Sequence, residues 1–208
     1  MAAGIRPVGV AGVPSHLAQQ CGTNCNAALG PQGAILRPCP AFTTRSTTAP
    51  SSDSGRVNVS PKGYDSFRIL GPNRVAFLDL GGSGIETVAH VRENGRITFM
   101  FCAFDGKPNI LRLYGKASAL CFDDPGFNEA LALFPEFPKA RAIITADITR
   151  IQDSCGWGVP FYDFVGERDQ LLRTNAHRTE EEWRARRYAS NAHSIDGLPG
   201  LIRPESEN

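Results

Sequence analysis

The sequence predicts a mainly β fold with a few helices, in which antiparallel strands form a closed or partly closed barrel. Six or so segments have the length and the apolar or alternating character of β-strands. Most of them are joined by tight turns or by one short helix, whereas a doubly wound parallel sheet would need a helix after nearly every strand. With 41% hydrophobic and 21% charged residues, the chain of 208 residues has the composition of a globular protein.

The clearest strand signal is the segment RITFMFCAF, residues 96–104, which is apolar on both faces and therefore predicts a central strand. The turn residues Asp105, Gly106 and Pro108 follow it, so this strand and the segment 110–120 are predicted to form a hairpin. The other predicted strands are 56–60, 66–70, 74–80 and 141–151.

Three helices are predicted between or after these strands. The first begins at Ser83, because Ser83 and Glu86 have the spacing of a capping box, and it ends at Gly95. The second lies within 125–134, and the third is a charged amphipathic helix over 179–190.

Charge and cysteine content exclude several classes of protein. A net charge of +1 does not favour a dedicated nucleic-acid binder, and no apolar run approaches the roughly 18 residues that cross a bilayer. The six cysteines are too scattered for a disulfide scaffold, and Cys21 and Cys25 have no histidine at ligand spacing. No metal site is therefore predicted, and the cysteines are interpreted as reduced thiols.

The first 52 residues differ in composition from the rest, since they contain three arginines and no acidic residue. This composition is that of an organelle transit peptide or of a disordered extension. We therefore expect an extension over 1–46, a folded domain over 47–196 and a loose tail over 197–208. The corresponding location is cytoplasmic, or an organelle if the extension is a targeting signal.

Four motifs in order resemble the pyridoxamine 5′-phosphate oxidase-like flavoprotein family, in its branch of short members. They are GRVNVSPKGYDSFRIL from residue 55, VAFLDLGGSGIETVAHVRENGRITFMFCAF from 75, ILRLYGKA from 110 and RIQDSCGWGVPFY from 150. The resemblance covers about 47–166 and implies a split β-barrel, a homodimer, and FMN held in a cleft between two subunits.

Within this resemblance, six residues are candidates for binding the cofactor. A flavin phosphate needs donors, which Lys62 and Ser60 supply at the end of a predicted strand, and Ser83 and Gly84 supply as the start of a helix. Thr87 lies one turn further along that helix. The sixth candidate is Arg112, on a strand that the family fold places beside the cofactor.

Each of these residues also has an ordinary structural interpretation. Lys62 is equally typical of a solvated turn, Ser83 and Glu86 are explained as a helix cap, and Arg112 could lie along the barrel surface. Glu86 is a departure from family oxidases, which carry basic residues just after this serine, because a carboxylate competes with a phosphate for the helix N-terminus.

The function expected from the resemblance is that of an FMN-dependent oxidoreductase with an unidentified substrate and no assigned catalytic side chain. Vitamin B6 oxidation is not expected, because the C-terminal arginine and histidine motif of true family oxidases is not evident. Relatives with this barrel also use deazaflavin or haem, so a non-catalytic carrier is the alternative, with His90 as a possible axial ligand of haem. A third alternative is a barrel that serves only for dimerisation, with an empty cleft.

Overall fold

A single antiparallel sheet of seven strands forms most of the protein. The computed structural model describes residues 42–49, 51–137 and 139–204. In chain order the strands are β1 (Phe42–Thr48), β2 (Asn58–Lys62), β3 (Phe67–Gly71), β4 (Arg74–Asp79), β5 (Arg96–Ala103), β6 (Ile110–Cys121) and β7 (Ala142–Ser154). Their order in the sheet is β2-β1-β5-β6-β7-β4-β3. The prediction of a mainly β, antiparallel fold is confirmed.

Four helices are present in the described part of the chain. They are α1 (Glu86–Asn94), α2 (Phe127–Leu131), α3 (Gln170–Ala176) and α4 (Glu180–Ser190). Helix α1 buries Val88 and Val91 against the sheet and ends, as predicted, at Gly95 in the left-handed conformation with φ 72°. None of these helices is both long and apolar enough to cross a bilayer.

The sheet curls so that strands far apart in its order face one another. In a flat sheet β4 and β5, three places apart, would be separated by about 14 Å. Instead the rings of Phe77 and Phe99 are 5.8 Å apart, and those of Phe67 and Phe101 are 5.3 Å apart. Because β2 and β3 form no pair in the described sheet, the result is a barrel that stays open between them.

The β5–β6 hairpin forms the centre of this barrel, as its apolar sequence predicted. β5 pairs with β6 in unbroken register from Arg96↔Lys116 to Cys102↔Ile110. β6 then continues along β7, where the register shifts between Tyr114 and Gly115. A side chain at residue 115 would meet the carbonyl oxygen of Asp147 at 2.5 Å, which explains the glycine at this close approach.

The predicted capping box at the start of α1 is wrong. The helix begins at Glu86, its N-cap residue is Ile85, and no side chain caps it. The box instead occurs at the start of α4, where Thr179 and Glu182 each accept a hydrogen bond from the other's backbone N–H. Ser83 stays in the loop before the helix, where Asn191 and Arg141 donate to the carbonyl groups of Ser83 and Gly84.

The turn after β2 lies later than the sequence indicated. β2 continues through Pro61 to Lys62, and the chain turns at Gly63–Asp65, where Tyr64 has φ 60°. Proline is tolerated here because β2 is an edge strand of the sheet. Lys62 is therefore the last residue of a strand rather than the tip of a turn.

Both ends of the described chain differ from the predicted boundaries. β1 begins at Phe42, so the sheet starts before residue 47. The C-terminal segment expected to be loose is packed as far as Leu201, which is buried and donates its backbone N–H to the carbonyl of Asn191 at 2.8 Å. Helix α3 was not predicted. The remainder of the predicted extension lies outside the described residues.

Candidate functional site

A cleft of about 540 Å³ lies on the open side of the barrel, between the end of β2 and the end of β4. We call it the β2–β4 cleft. Four of the six residues proposed from the sequence line it, namely Ser60, Lys62, Ser83 and Gly84. Its other walls come from Pro61, Gly63, Tyr64, Ser66, the segment 78–82, Glu86, Arg141 and Leu171.

Lys62 provides a cation at this cleft. Its Nζ lies 5.0 Å from the centroid of the Phe77 ring, a cation–π distance. Within the described residues no carboxylate oxygen lies within 4.0 Å of this ammonium group, unlike the paired arginines of the same barrel. An ammonium group without a carboxylate partner is suited to bind an anionic ligand.

Ser60 is arranged differently. Its hydroxyl donates to Oδ1 of Asn58 at 3.2 Å, while Nδ2 of Asn58 donates to Oγ1 of Thr87 at 3.1 Å. The Ser60 oxygen is thus free only as an acceptor in this arrangement. It becomes a donor to an anion only when the hydroxyl rotates away from Asn58.

A buried ion pair forms the floor of the cleft. Arg141 at the start of β7 donates to Oδ2 of Asp79 at the end of β4, at 2.8 Å, and both side chains are 5% exposed. Burial alone would raise the pKa of Asp79, but the charges of Arg141 and Lys62 hold that pKa well below its usual range. The carboxylate therefore stays ionised and also accepts the backbone N–H of Gly81 at 2.9 Å.

The loop after β4, residues 81–84, is held from behind by side chains distant in sequence. The carbonyl of Gly82 accepts from Arg187 Nη1 at 2.5 Å and from Asn191 Nδ2 at 3.3 Å. Asn191 Nδ2 also donates to the carbonyl of Ser83 at 3.2 Å, and Arg141 Nη1 donates to that of Gly84 at 2.6 Å. Four donor contacts thus fix three consecutive carbonyl groups.

Glu86, the departure noted in the sequence, lines the cleft at the first residue of α1. Its Oε1 accepts the backbone N–H of Ile195 at 3.2 Å, which ties the carboxylate to the packed C-terminal segment. That segment is tied further by Arg56, which pairs with Asp196. One oxygen of Glu86 is therefore engaged with another part of the chain, whereas Oε2 lies beside Gly84.

The structure does not bring Thr87 and Arg112 to this cleft. Thr87 is buried on α1 and accepts from Asn58, and Arg112 on β6 donates from Nη1 to Oγ of Ser154 at 3.1 Å. Neither residue is among those that line the β2–β4 cleft. Both remain predictions as cofactor ligands.

His90 is fully buried on α1 and does not line the cleft. Its Nδ1 lies 3.1 Å from Oγ1 of Thr48, and its Nε2 has no hydrogen-bond partner in the described structure. Burial lowers its pKa, and this outweighs the opposing effect of carboxylates such as Glu86. A neutral imidazole enclosed in this way has no open path to a haem iron.

A set of apolar side chains is exposed near the C-terminal end of the sheet's last strand in sequence. It consists of Trp157, Phe161, Tyr162, Phe164 and Val165, in the segment that follows β7, and we call it the aromatic surface. Trp157 is 83% exposed, so it does not fill a barrel end, and Val165 is 99% exposed.

The same segment continues to the rim of the cleft. Tyr64 donates its backbone N–H to Oε1 of Glu167 at 3.3 Å and its side-chain hydroxyl to the carbonyl of Arg168 at 2.5 Å. Exposed apolar patches of this kind mark interaction surfaces. The segment that carries the aromatic surface is therefore tied to the cleft through Tyr64.

No cluster of metal-ligating side chains occurs among the residues that the structure describes. Of the cysteines, Cys102 and Cys121 are buried and Cys155 is exposed, all three as free thiols. Burial raises the pKa of Cys121 to about 11, so this thiol is protonated at neutral pH. Cys21, Cys25 and Cys39 lie outside the described residues.

Sequence reasoning missed Asp79, Arg141, Arg187 and Asn191. A signal existed for the first two, because a charge at the end of the apolar strand VAFLD and another at the start of AIITA predict a buried pair. Arg187 and Asn191 gave no such signal. Their approach to the 81–84 loop depends on how α4 packs, which is fixed by the burial of Trp183 against Phe122.

Comparison with known proteins identifies one curated relative of high similarity. The chain is 39% identical over 163 residues to a pyridoxamine 5′-phosphate oxidase family protein of Aspergillus flavus, a match that covers 70% of this chain and 65% of the relative. The chain thus matches slightly less than two thirds of that protein's length. No family model matches the chain.

The chain also matches solved structures. An FMN-binding protein of Syntrophomonas wolfei matches with a TM-score of 0.39 and 16% identity, over 53% of this chain and 75% of that chain. HupZ of Group A Streptococcus matches with a TM-score of 0.41 and 17% identity, over 54% and 85%. Because both TM-scores are below 0.5, the fold assignment rests on the strand pairing and ring contacts of this chain.

Proposed function

Because this chain is a homologue of a pyridoxamine 5′-phosphate oxidase family protein, we propose that it is an FMN-dependent oxidoreductase that holds its flavin at the β2–β4 cleft. The observation that carries the proposal is Lys62, an ammonium group without a carboxylate partner among the described residues, at the edge of a cleft of suitable size. A volume of about 540 Å³ lies within the usual range of cofactor sites.

The residues of the cleft fit a phosphorylated flavin. Lys62 would bind the phosphate as a point charge, and the backbone N–H groups of Ser83 and Gly84 would donate to its oxygens. Each hydrogen bond to a charged oxygen contributes about 1.5–3 kcal/mol, so three or four of them are sufficient for a firmly held cofactor. Asp79 does not oppose this, since Arg141 balances its charge.

The isoalloxazine ring of a bound flavin would itself supply the hydride or electron transfer. The protein would need only to bind, orient and shield this ring, which agrees with a cleft in which none of the described lining residues is a histidine. Ionised Asp79 and the engaged carboxylate of Glu86 are not placed to act as proton donors. A carrier of flavin without catalysis would use the same contacts and remains the alternative.

The aromatic surface supports a homodimer as the working form. Five large apolar side chains exposed in one segment are typical of a subunit interface in which aromatic residues are enriched. Since this segment contacts Tyr64 at the cleft rim, a second subunit seated there would adjoin the flavin. We therefore propose that the cleft is completed by a second copy of the chain.

The absorption spectrum of the purified full chain tests the proposal. We expect flavin bands that bleach on addition of a reductant and return in air. A deazaflavin or haem spectrum would show that this cofactor is bound in place of FMN. Stable flavin bands that do not respond to a reductant would favour a non-catalytic flavin carrier. A colourless protein whose spectrum is unchanged by added FMN would reject the proposal.

A further inference from the structure

We propose that Asn191, the residue that ends helix α4, is a positioning residue for phosphate recognition at the β2–β4 cleft. By binding the carbonyl groups of the 81–84 loop, it would turn the N–H groups of Ser83 and Gly84 towards the side where Lys62 lies. This inference rests on the proposed function, because it explains how the loop would present donors to a phosphorylated ligand.

The contacts of Asn191 are directed and fully enclosed. Its side chain is completely buried, and its Oδ1 accepts from Arg141 Nη1 at 3.0 Å. This bond fixes the orientation of the amide, so that Nδ2 is the donor. Its two hydrogens face three carbonyl groups, those of Ser190 at 3.0 Å, Ser83 at 3.2 Å and Gly82 at 3.3 Å. The buried face of the loop is therefore its carbonyl face.

The geometry of the peptide bond predicts which groups lie on the opposite face of the 81–84 loop. In a planar trans peptide the C=O of one residue and the N–H of the next point in opposite directions. Carbonyls of Gly82 and Ser83 that point at a buried amide therefore direct the N–H groups of Ser83 and Gly84 away from the interior. In the described structure neither N–H donates to any partner, and the loop lines the cleft. Consecutive N–H groups on one face form an anion-binding concavity.

A second, independent observation indicates an anionic ligand at this site. The side chain of Arg141 is 5% exposed and lines the same cleft, yet its Nε has no hydrogen-bond partner in the described residues. Lys62 adds a cation there, with no carboxylate of the described chain within 4.0 Å. Buried donors left without partners are rare in folded proteins and are explained when a ligand supplies the acceptor.

The test replaces the donor of Asn191 but keeps its shape. Asn191→Asp retains an oxygen for Arg141 and presents an acceptor to the two carbonyls, so their fixed orientation is lost. Affinities for FMN and for riboflavin, which lacks the phosphate, are measured on the full chain by calorimetry. Because the lost orientation of the loop and the added negative charge both act on the phosphate, which riboflavin lacks, we expect FMN to bind about tenfold or more weakly while riboflavin binding is unchanged.

The control variant is Ser194→Ala. Ser194 is buried in the same C-terminal segment and accepts the backbone N–H of Leu198 at 3.1 Å, but it does not contact the 81–84 loop. The Ser194→Ala variant should keep the wild-type ratio of the affinities for FMN and riboflavin. An Asn191→Asp variant that folds and also keeps this ratio would overturn the inference.

A measurement on the wild type decides the matter even if the variant fails to fold. The amide signals of Ser83 and Gly84 are followed in ¹H–¹⁵N spectra during titration with inorganic phosphate. Downfield shifts of both signals would support the inference, and signals that do not move at saturating phosphate would overturn it. A wild type that responds to phosphate but binds no FMN would instead reject the cofactor assignment.

Discussion

Lys62 combines a contact with an aromatic ring and a charge that has no carboxylate within 4.0 Å among the described residues, although it acts on Asp79 from further away. This combination distinguishes it from a solvated lysine. Its ammonium group lies over the ring of Phe77, which is completely buried, at the open side of the barrel. The ring attracts the cation but does not neutralise it. The sequence predicted a lysine near a phosphate, yet it could not distinguish this from a turn residue, because the contact comes from the curl of the sheet.

The burial of His90 can be tested by measuring the free energy of unfolding as a function of pH. Its pKa in the folded chain is lowered by burial, whereas in the unfolded chain it stays near 6.5. As pH falls below about 6.5, the unfolded state takes up a proton that the folded state still excludes, so folding becomes less favourable. We expect the free energy of unfolding, measured in urea, to fall between pH 7.5 and pH 5.5, and to fall less in His90→Gln. Equal losses in both proteins would show that this imidazole is not the cause.

Strands β4 and β7 are joined by backbone pairing from Arg74↔Asp147 to Asp79↔Ala142 and by one buried ion pair. The pair closes the end of these strands that forms the floor of the cleft. Removal of one partner from a buried pair leaves the other charge unpaired, which is more harmful than loss of the pair as a whole.

The substitution Asp79→Ala tests this element directly. Because Arg141 would then be buried without its carboxylate, we expect a loss of about 3–5 kcal/mol in the free energy of unfolding. The exposed pair of Arg74 and Asp147, 3.8 Å apart on the same two strands, is the control. Asp147→Ala should lose no more than about 1 kcal/mol in the same urea titration. Equal losses in the two variants would contradict the role given to the buried pair.

Local sequence patterns predicted those helices and strands whose formation depends on local interactions. The β5–β6 hairpin follows from its apolar segments and its turn, and α4 from its charged amphipathic pattern. The capping box at Ser83 failed because the same residue spacing can be overridden by tertiary hydrogen bonds, here from Arg141 and Asn191. Asn191 lies 107 positions from Gly84 and 50 positions from Arg141 in the sequence. Contacts over such separations cannot be predicted from a local sequence pattern.

The whole molecule is a sheet that closes by curling, and its open side carries the cleft. An antiparallel barrel was predictable from strand number and connections. Two long-range features are not specified by the periodicity of hydrophobic residues. They are the pairing of β1 with β5 and the contact of β2 with β4 across the opening.

Dimerisation belongs to this scale. We expect the full chain to elute, with light-scattering detection, at about twice its mass of 22.5 kDa. The double substitution Trp157→Ser and Phe161→Ser removes apolar area from the aromatic surface and should yield monomers. Ile202→Ser, at an exposed apolar residue outside that surface, should stay dimeric. A wild type that is monomeric at all concentrations would reject the second subunit.

The central claim is that the open side of the barrel binds a flavin phosphate through Lys62, and a calorimetric titration with FMN tests it most directly. The wild type should bind one FMN per chain, and Lys62→Glu should bind it about 10- to 100-fold more weakly, because a bond to a charged oxygen is lost. Lys107→Glu makes the same change of charge in the exposed β5–β6 turn and should bind like the wild type. Equal FMN affinity in all three proteins would contradict the claim.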